Sequence, residues 1–277
     1  MRAFLASPIG FLIGLSLGAL GGGGSILAVP ALVYAAGQDP KGATATSLFV
    51  VGSASLVGLV PHWRAGRVRL GTGVTFGIVG IGGSLLGTAL NRRVDPDLLL
   101  LGFSGLVVLA AWRMIVGCPT CTQAGERAAL ARPSAAANRT GTVTLHGVAA
   151  LDLRTVLTVL AAGTAVGFLT GLFGVGGGFV IVPALTLALK LPMPQAIGTS
   201  LLVIAINSAV ALTSRLATTS IDWQITAPFT VSAIAGVLVG GRLSAGLDPK
   251  RSLRAFAGLL VAVAVYTAIS ATVGLVD

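Results

Sequence analysis

Two glycine-rich runs carry backbone groups that could bind a ligand. The first contains Gly22, Gly23, Gly24 and Ser25, and the second contains Gly176, Gly177 and Gly178. Consecutive glycines interrupt a helix and leave amide N–H groups without partners. A helix that begins after such a break also directs the positive end of its dipole at the break. Amide and hydroxyl donors around two such breaks predict the binding of a small anion.

The alternative for these glycines is close helix packing. Small residues four positions apart let two helix backbones approach, and Gly14 with Gly18, and Gly83 with Gly87, fit that pattern. The contiguous runs fit it less well, because packing requires glycines at a spacing of four rather than adjacent ones. We therefore favour packing for the spaced pairs and a binding site for the runs.

Polar side chains in otherwise apolar segments are further candidates for substrate binding. They are Thr46, Ser47, Thr199, Ser200 and Asn207. The four hydroxyls are predicted in the first turn of a helix, where capping of that helix is an alternative role. A hydrogen bond to a neighbouring helix is a second alternative. Asn207 lies further along the same predicted helix and is expected to face protein or a cavity rather than lipid.

Several kinds of chemistry lack the residues they need. All eight acidic residues lie at segment ends, in loops or at the C-terminus, which disfavours a carboxylate proton relay or a sodium site. Cys118 and Cys121 form a CxxC, which is half a zinc site without a second pair, so we expect no metal. There is no Walker motif and no arrangement of a nucleophile with a base. We expect neither an enzyme nor a cofactor.

Composition indicates an all-α polytopic membrane protein. Of the 277 residues, 55% are hydrophobic and only 9% are charged, whereas soluble domains average about 25% charged residues. The apolar runs approach the roughly 20 residues that a membrane span requires, and they do not alternate as the strands of an outer-membrane barrel do. The net charge of +10 comes from basic residues between these runs, which indicates membrane topology rather than binding to nucleic acid.

The chain contains an internal repeat. Pro30 and Pro183 follow the two glycine runs and lie 153 positions apart. The same offset aligns other residues from 14 to 106 with the second half of the chain without a gap. We predict membrane repeat 1 at 1–115, a polar linker at 116–154 and membrane repeat 2 at 155–277. The predicted segments, about eight hydrophobic stretches and up to ten helices, are 4–20, 25–37, 43–61, 72–91 and 98–115, then 155–173, 178–190, 196–214, 224–244 and 251–273.

The charges between the segments predict that the repeats have opposite orientations. Loop 62–71 carries three arginines and loop 247–254 carries three basic residues, so both should be cytoplasmic. Their equivalents, 215–224 and 92–97, balance basic with acidic residues and should lie outside. Each glycine-broken pair is then either a re-entrant hairpin or two short, tilted helices. Inverted repeats with broken helices typify secondary transporters, which bind substrate between the repeats.

The motif Gly-Phe-Leu-Thr-Gly-Leu-Phe-Gly-Val-Gly-Gly-Gly at 167–178 is followed by Val-Pro-Ala-Leu at 182–185 and Ala-Ile-Gly-Thr-Ser-Leu at 196–201, and the same pattern occurs at 18–32 and 43–48. In these residues the sequence resembles the sulfite exporter TauE/SafE family, also called the TSUP family of anion permeases. The resemblance implies transport of small anions such as sulfite or organosulfonates. One departure is Ser25, whose equivalent in the second repeat is Gly178.

Together these features predict a multi-pass protein of the inner (cell) membrane that exports a small sulfur oxyanion. Its partners would be that anion and the lipid bilayer, and a homo-oligomer is compatible with the sequence. The alternative is a membrane partner or sensor protein without transport activity, which docks through 116–154.

Overall fold

In the computed structural model, the chain forms helices and turns, and the described part contains no strand. The structure describes residues 2–34, 36–38, 40–91, 153–173, 178–216 and 221–246, with isolated helical positions within 102–112 and 254–265. The helices are α1 (Arg2–Leu20), α2 (Gly23–Tyr34), α3 (Pro40–Arg64), α4 (Leu70–Asn91), α5 (Leu153–Phe173), α6 (Gly178–Leu187), α7 (Met193–Leu216) and α8 (Trp223–Gly246). The linker 116–154 lies almost entirely outside the described residues, as do most of the predicted spans 98–115 and 251–273.

Four helices are long and apolar enough to cross a membrane: 42–64, 70–87, 193–213 and 223–243. Large apolar side chains such as Ile78, Leu85 and Val231 are exposed on these helices, as expected where lipid covers the surface. The core lies where α3 and α7 cross, at buried residues that include Val50 and Ile204. The prediction of an all-α, multi-pass membrane protein is confirmed.

Helices α3 and α7 begin three residues earlier than predicted. Proline fits the first turn of a helix because its missing N–H has no partner there, so Pro40 and Pro194 lie inside the helices rather than ahead of them. Thr46 and Thr199 consequently lie in the second turn. The prediction of first-turn hydroxyls, and the capping role that depends on it, are wrong.

Two pairs of helices, each with one helix from either repeat, pack against each other through glycines. We call these two glycine contacts seams. On α1, a Cβ at Gly14 would overlap the carbonyl oxygen of Ala233 in α8, and a Cβ at Gly18 would overlap that of Val237. The equivalent helices α4 and α5 meet in the same way. Their contacts pair Gly83 with Thr164, Gly87 with Phe168, Gly167 with Gly80 and Gly171 with Ser84. The packing interpretation of the spaced glycine pairs is confirmed.

The contacts also give the directions of the helices. Both seams join helices that run parallel, because the contacting residue numbers rise together. Helix α3 runs antiparallel to its equivalent α7, since Gly52 lies against Ser208 while His62 lies against Gly198. Helix α3 runs parallel to α8, because Thr46 contacts Thr226 near the start of both helices and the two helices also meet again near their ends.

The first glycine run lies where α1 ends and α2 starts, and α6 begins at Gly178. Gly21 has a φ of 74° and its N–H donates to the carbonyl of Leu17 at 2.8 Å, which closes α1. Gly24 then lies against the backbone of Ile13, so α2 turns back along α1. With 12 and 10 residues, α2 and α6 are about 18 and 15 Å long, short of the hydrocarbon core of about 30 Å.

The seams generate a stability prediction. In Gly87→Val the new side chain would overlap the backbone of α5, which cannot move aside as a flexible side chain can. We therefore expect the free energy of unfolding to fall by about 3 kcal/mol or more. Thermal unfolding in detergent measures this loss. Gly82→Val is the matched control, because a Cβ at Gly82 in the same helix meets no atom within 4 Å. Equal unfolding temperatures for the two variants would contradict the seam.

Candidate functional site

The starts of α2 and α6 meet directly. A Cβ at Gly22 would overlap the carbonyl oxygen of Gly178, so both positions require glycine. The side chain of Ser25 explains the difference between the repeats at this point. A Cβ at Gly178 would lie 2.5 Å from the Ser25 hydroxyl, which itself donates to the carbonyl of Gly22 at 2.8 Å. Only one of the two equivalent positions has room for a side chain.

Packing accounts for most of the described glycine run. Gly21 lies against Ile197 and Ser200, Gly22 against Gly178, and Gly24 against α1. Gly23 is the first residue of α2. The equivalent Gly176 and Gly177 lie outside the described residues. Binding of an anion by the amides of these glycines stays a prediction.

A cavity of about 330 Å³ lies beside the meeting point of the breaks, between α2, α3 and α4 of the first repeat and α5 and α7 of the second. Of the predicted site residues, it brings together Ser25, Ser47 and Asn207. Its other polar lining side chains are Thr44, Ser84, Thr170 and Ser208. The cavity extends from the middle of α3 towards the N-terminal end of that helix.

The cavity is lined by one buried polar atom without a described hydrogen-bond partner, in Asn207, and by two buried serines. Ser47 and Ser208 are 6% and 4% exposed. The Oδ1 atom of Asn207 is buried without a partner. An unpaired buried polar group costs about 1–3 kcal/mol, and such groups call for a bound ligand or water. By contrast, Thr170 donates to the carbonyl of Val166 within its own helix at 2.7 Å.

The remaining predicted hydroxyls hold helices together. Thr46 and Thr226 share a hydrogen bond of 3.3 Å between α3 and α8. The hydroxyl of Thr199 accepts a bond of 3.1 Å from the backbone N–H of Arg69. Ser200 donates to the carbonyl of Gly21 and thereby fixes the glycine break to α7. None of the three predicted hydroxyls lines the cavity. Thr46 makes the interhelical bond that the sequence left open as an alternative, and Thr199 and Ser200 bond to residues just before α4 and α2.

The cavity has no charged lining residue within the described ranges. Its donors are neutral hydroxyls and an amide, together with the N-terminal end of α2, where Ser25 lies in the first turn. The one carboxylate in the described ranges is Asp222, which accepts from the N–H of Gln224 at the start of α8. No group of three potential metal ligands occurs in that part of the chain.

Two cavity residues that the sequence did not predict, Ser84 and Thr170, are polar at positions where the other repeat has an apolar residue. With the offset of 153, Ser84 corresponds to Val237 and Thr170 to Leu17, whereas Asn207 corresponds to Ala54. Val237, Leu17 and Ala54 are each 1% exposed, so the equivalent place in the other half is filled by apolar side chains. The polar cavity therefore exists in only one half of the bundle.

The profile of the sulfite exporter TauE/SafE family matches residues 6–267, which include both glycine breaks and every cavity residue. The chain belongs to this family. The TauE/SafE resemblance inferred from the repeated motifs is thus confirmed, and a membrane transporter is the class of protein that this membership indicates.

Relatives of this TauE/SafE chain carry the same general description. A probable membrane transporter protein of Xylella fastidiosa is 33% identical over 260 residues, covering 93% of this chain and 91% of the relative. The probable membrane transporter protein YunE of Bacillus subtilis is 27% identical over 257 residues, covering 89% and 86%. A probable membrane transporter protein of Methanocaldococcus jannaschii is 26% identical over 213 residues, covering 75% and 70%. No solved structure matches the chain.

Proposed function

We propose that this transporter is a secondary carrier that exports a small sulfur oxyanion, such as sulfite or an organosulfonate, across the inner (cell) membrane. The observation that carries the proposal is the cavity between the repeats, which is lined by the hydroxyl groups of Ser47 and Ser208 and by Asn207, whose Oδ1 atom has no described partner. The hydroxyl groups and the Nδ2 amide of Asn207 can donate to an oxyanion, and the Asn207 Oδ1 atom, which only accepts, would pair with a bound water or with a proton carried by the substrate.

The chemistry of the lining favours an anion. Hydroxyl groups and a carboxamide N–H group donate hydrogen bonds to oxyanions, and the first turn of α2 adds the positive end of a helix dipole. A cation would be expected to require carboxylates, and none lines the cavity in the described ranges. The volume of about 330 Å³ holds a small oxyanion with accompanying water. Sulfur oxyanions are the choice that the family description supports.

Inverted repeats would explain how one cavity serves both sides of the membrane. The antiparallel arrangement of the equivalent helices α3 and α7, and the unequal charges of the equivalent loops, support this architecture. The contact of Gly52 with α7 lies at the thirteenth of the 25 residues of α3. Substrate would therefore bind near the membrane midplane.

Alternating access would then exchange the open cavity with its closed counterpart. In the closed half, Leu17, Ala54 and Val237 exclude water at the positions equivalent to the polar lining. Separation of these apolar side chains would open the pathway to the opposite side. Because an interior-negative potential drives an anion outward by about 2.3 kcal/mol per charge per 100 mV, export needs no carboxylate for coupling. Coupling to a protonated substrate or to counter-exchange remains an alternative.

The inverted architecture is tested by labelling single cysteines in a chain that lacks Cys118 and Cys121. Ala65→Cys and Thr218→Cys occupy equivalent positions of the two repeats. We expect a membrane-impermeant maleimide to label Thr218→Cys in intact cells and Ala65→Cys only after the inner membrane is opened. Labelling of both residues from the same side would contradict inversion.

The cavity is tested by Asn207→Leu. Loss of a hydrogen bond to a charged substrate costs about 1.5–3 kcal/mol, so we expect uptake of sulfite into proteoliposomes to fall about tenfold or more at low substrate concentration. Stability should be unchanged or higher, because the variant removes a buried unpaired oxygen. Measuring uptake and thermal unfolding on the same preparation separates these effects.

The repeat supplies a matched control for this test. Ser208 lines the cavity, whereas Ser55, its equivalent in α3, is buried in the closed half. Ser208→Ala should lower sulfite uptake more than the same change in Ser55→Ala, because Ser208 lines the open cavity and Ser55 does not. If wild-type protein moves neither sulfite nor a sulfonate, or if the two serine variants lose uptake equally, the assignment of the cavity fails.

A further inference from the structure

A second concave surface lies at the C-terminal ends of α3 and α8, away from the substrate cavity. Its volume is about 640 Å³. We call it the basic groove, and its lining residues are Leu56, Val57, Val60, Pro61, His62, Arg64, Ala65, Arg67, Leu238, Gly241 and Arg242. Arg64 follows Ser47 by 17 residues of α3, which places them about 25 Å apart along the helix.

One end of the basic groove carries three arginines. Arg64, Arg67 and Arg242 form no ion pair with a described residue, and the one described carboxylate, Asp222, lies at the opposite end of α8. Three guanidinium groups in one concave surface repel one another unless an anion lies between them. Arginine is also the side chain best suited to bind phosphate through two parallel hydrogen bonds.

A buried polar group lies at the same end. His62 is 4% exposed, packs against Gly198 of α7 and lines the groove, but its Nδ1 atom has no hydrogen-bond partner among the described residues. An imidazole in this position can donate a hydrogen bond to a phosphate oxygen, or to a water held by it. The site therefore combines surface charge with a buried, unsatisfied group.

The other end of the groove is apolar and faces the membrane. Leu56, Val60 and Leu238 are 57%, 45% and 38% exposed, and they lie one or more helical turns deeper in the spans than the arginines. Gly241 widens the groove, since a Cβ there would meet no atom within 4 Å. A free inorganic anion would use the arginines but leave this apolar wall unoccupied.

We propose that the basic groove binds an anionic phospholipid. The phosphate diester lies among Arg64, Arg67 and Arg242, and an acyl chain lies along Leu56, Val60 and Leu238. Because loop 62–71 is predicted to be cytoplasmic, the lipid belongs to the inner leaflet, where basic pockets between helices bind anionic headgroups. The bound lipid would join α3 of the first repeat to α8 of the second. This proposal does not depend on the transported substrate.

Native mass spectrometry of the detergent-purified protein tests the charge requirement. The probes are dioleoyl phosphatidylglycerol and dioleoyl phosphatidylcholine at equal concentration. Each arginine near a membrane surface contributes about fivefold to the affinity for an anionic lipid, so Arg64→Gln combined with Arg242→Gln should weaken phosphatidylglycerol binding by about 25-fold. Arg69→Gln is the control, because Arg69 lies in the same loop but does not line the groove and contacts Gln195 instead.

A second pair of variants tests the shape of the groove without changing charge. Gly241→Phe fills the groove and should reduce phosphatidylglycerol binding, whereas Gly82→Phe adds the same side chain on α4, where it also meets no atom within 4 Å. Equal binding of both lipids, or an equal loss in Arg69→Gln and in the double variant, would overturn the proposal. Displacement of the lipid by millimolar inorganic phosphate would also overturn it, since the site would then bind a soluble anion.

Discussion

The structure depends on places where two backbones touch without side chains between them. Gly14 and Gly18 bring α1 onto α8, Gly83 and Gly87 bring α4 onto α5, and Gly22 meets Gly178 where the breaks converge. Without a hydrophobic driving force between helices in lipid, close van der Waals contact is what holds them together. Since every seam joins one repeat to the other, neither repeat can form its contacts alone.

The cavity follows from this arrangement. Gly167 and Gly171 of the α4–α5 seam form part of its wall, so the helices that must touch most closely also bound the space that remains open. The Oδ1 atom of Asn207 has no described hydrogen-bond partner in this cavity. Such an unpaired polar atom lowers stability, which is the usual consequence of keeping a site ready for a ligand. In the opposite half of the bundle the equivalent positions are filled by apolar side chains, with Leu17 and Val237 in place of hydroxyl-bearing residues.

Composition and periodic features predicted the membrane class, the glycine breaks and the approximate helices, because these depend on local sequence. The role of each hydroxyl could not be predicted in the same way. Thr46 and Ser47 are neighbours, yet successive residues of a helix point about 100° apart, so one bonds to α8 and the other faces the cavity. Asn207 was identified because an amide in an apolar helix requires a polar surrounding. Ser84 and Thr170 could be recognised as cavity residues only from the packing of α4 against α5 in the structure.

The central claim is that an oxyanion binds in the cavity between the repeats. Selenite has the charge and shape of sulfite and contains an anomalous scatterer, so a crystal soaked in selenite locates the anion directly. We predict a selenium peak within hydrogen-bond reach of Ser47 and Asn207, beside Ser25 at the start of α2. A peak confined to the arginines at the ends of α3 and α8, with an empty cavity, would contradict the account.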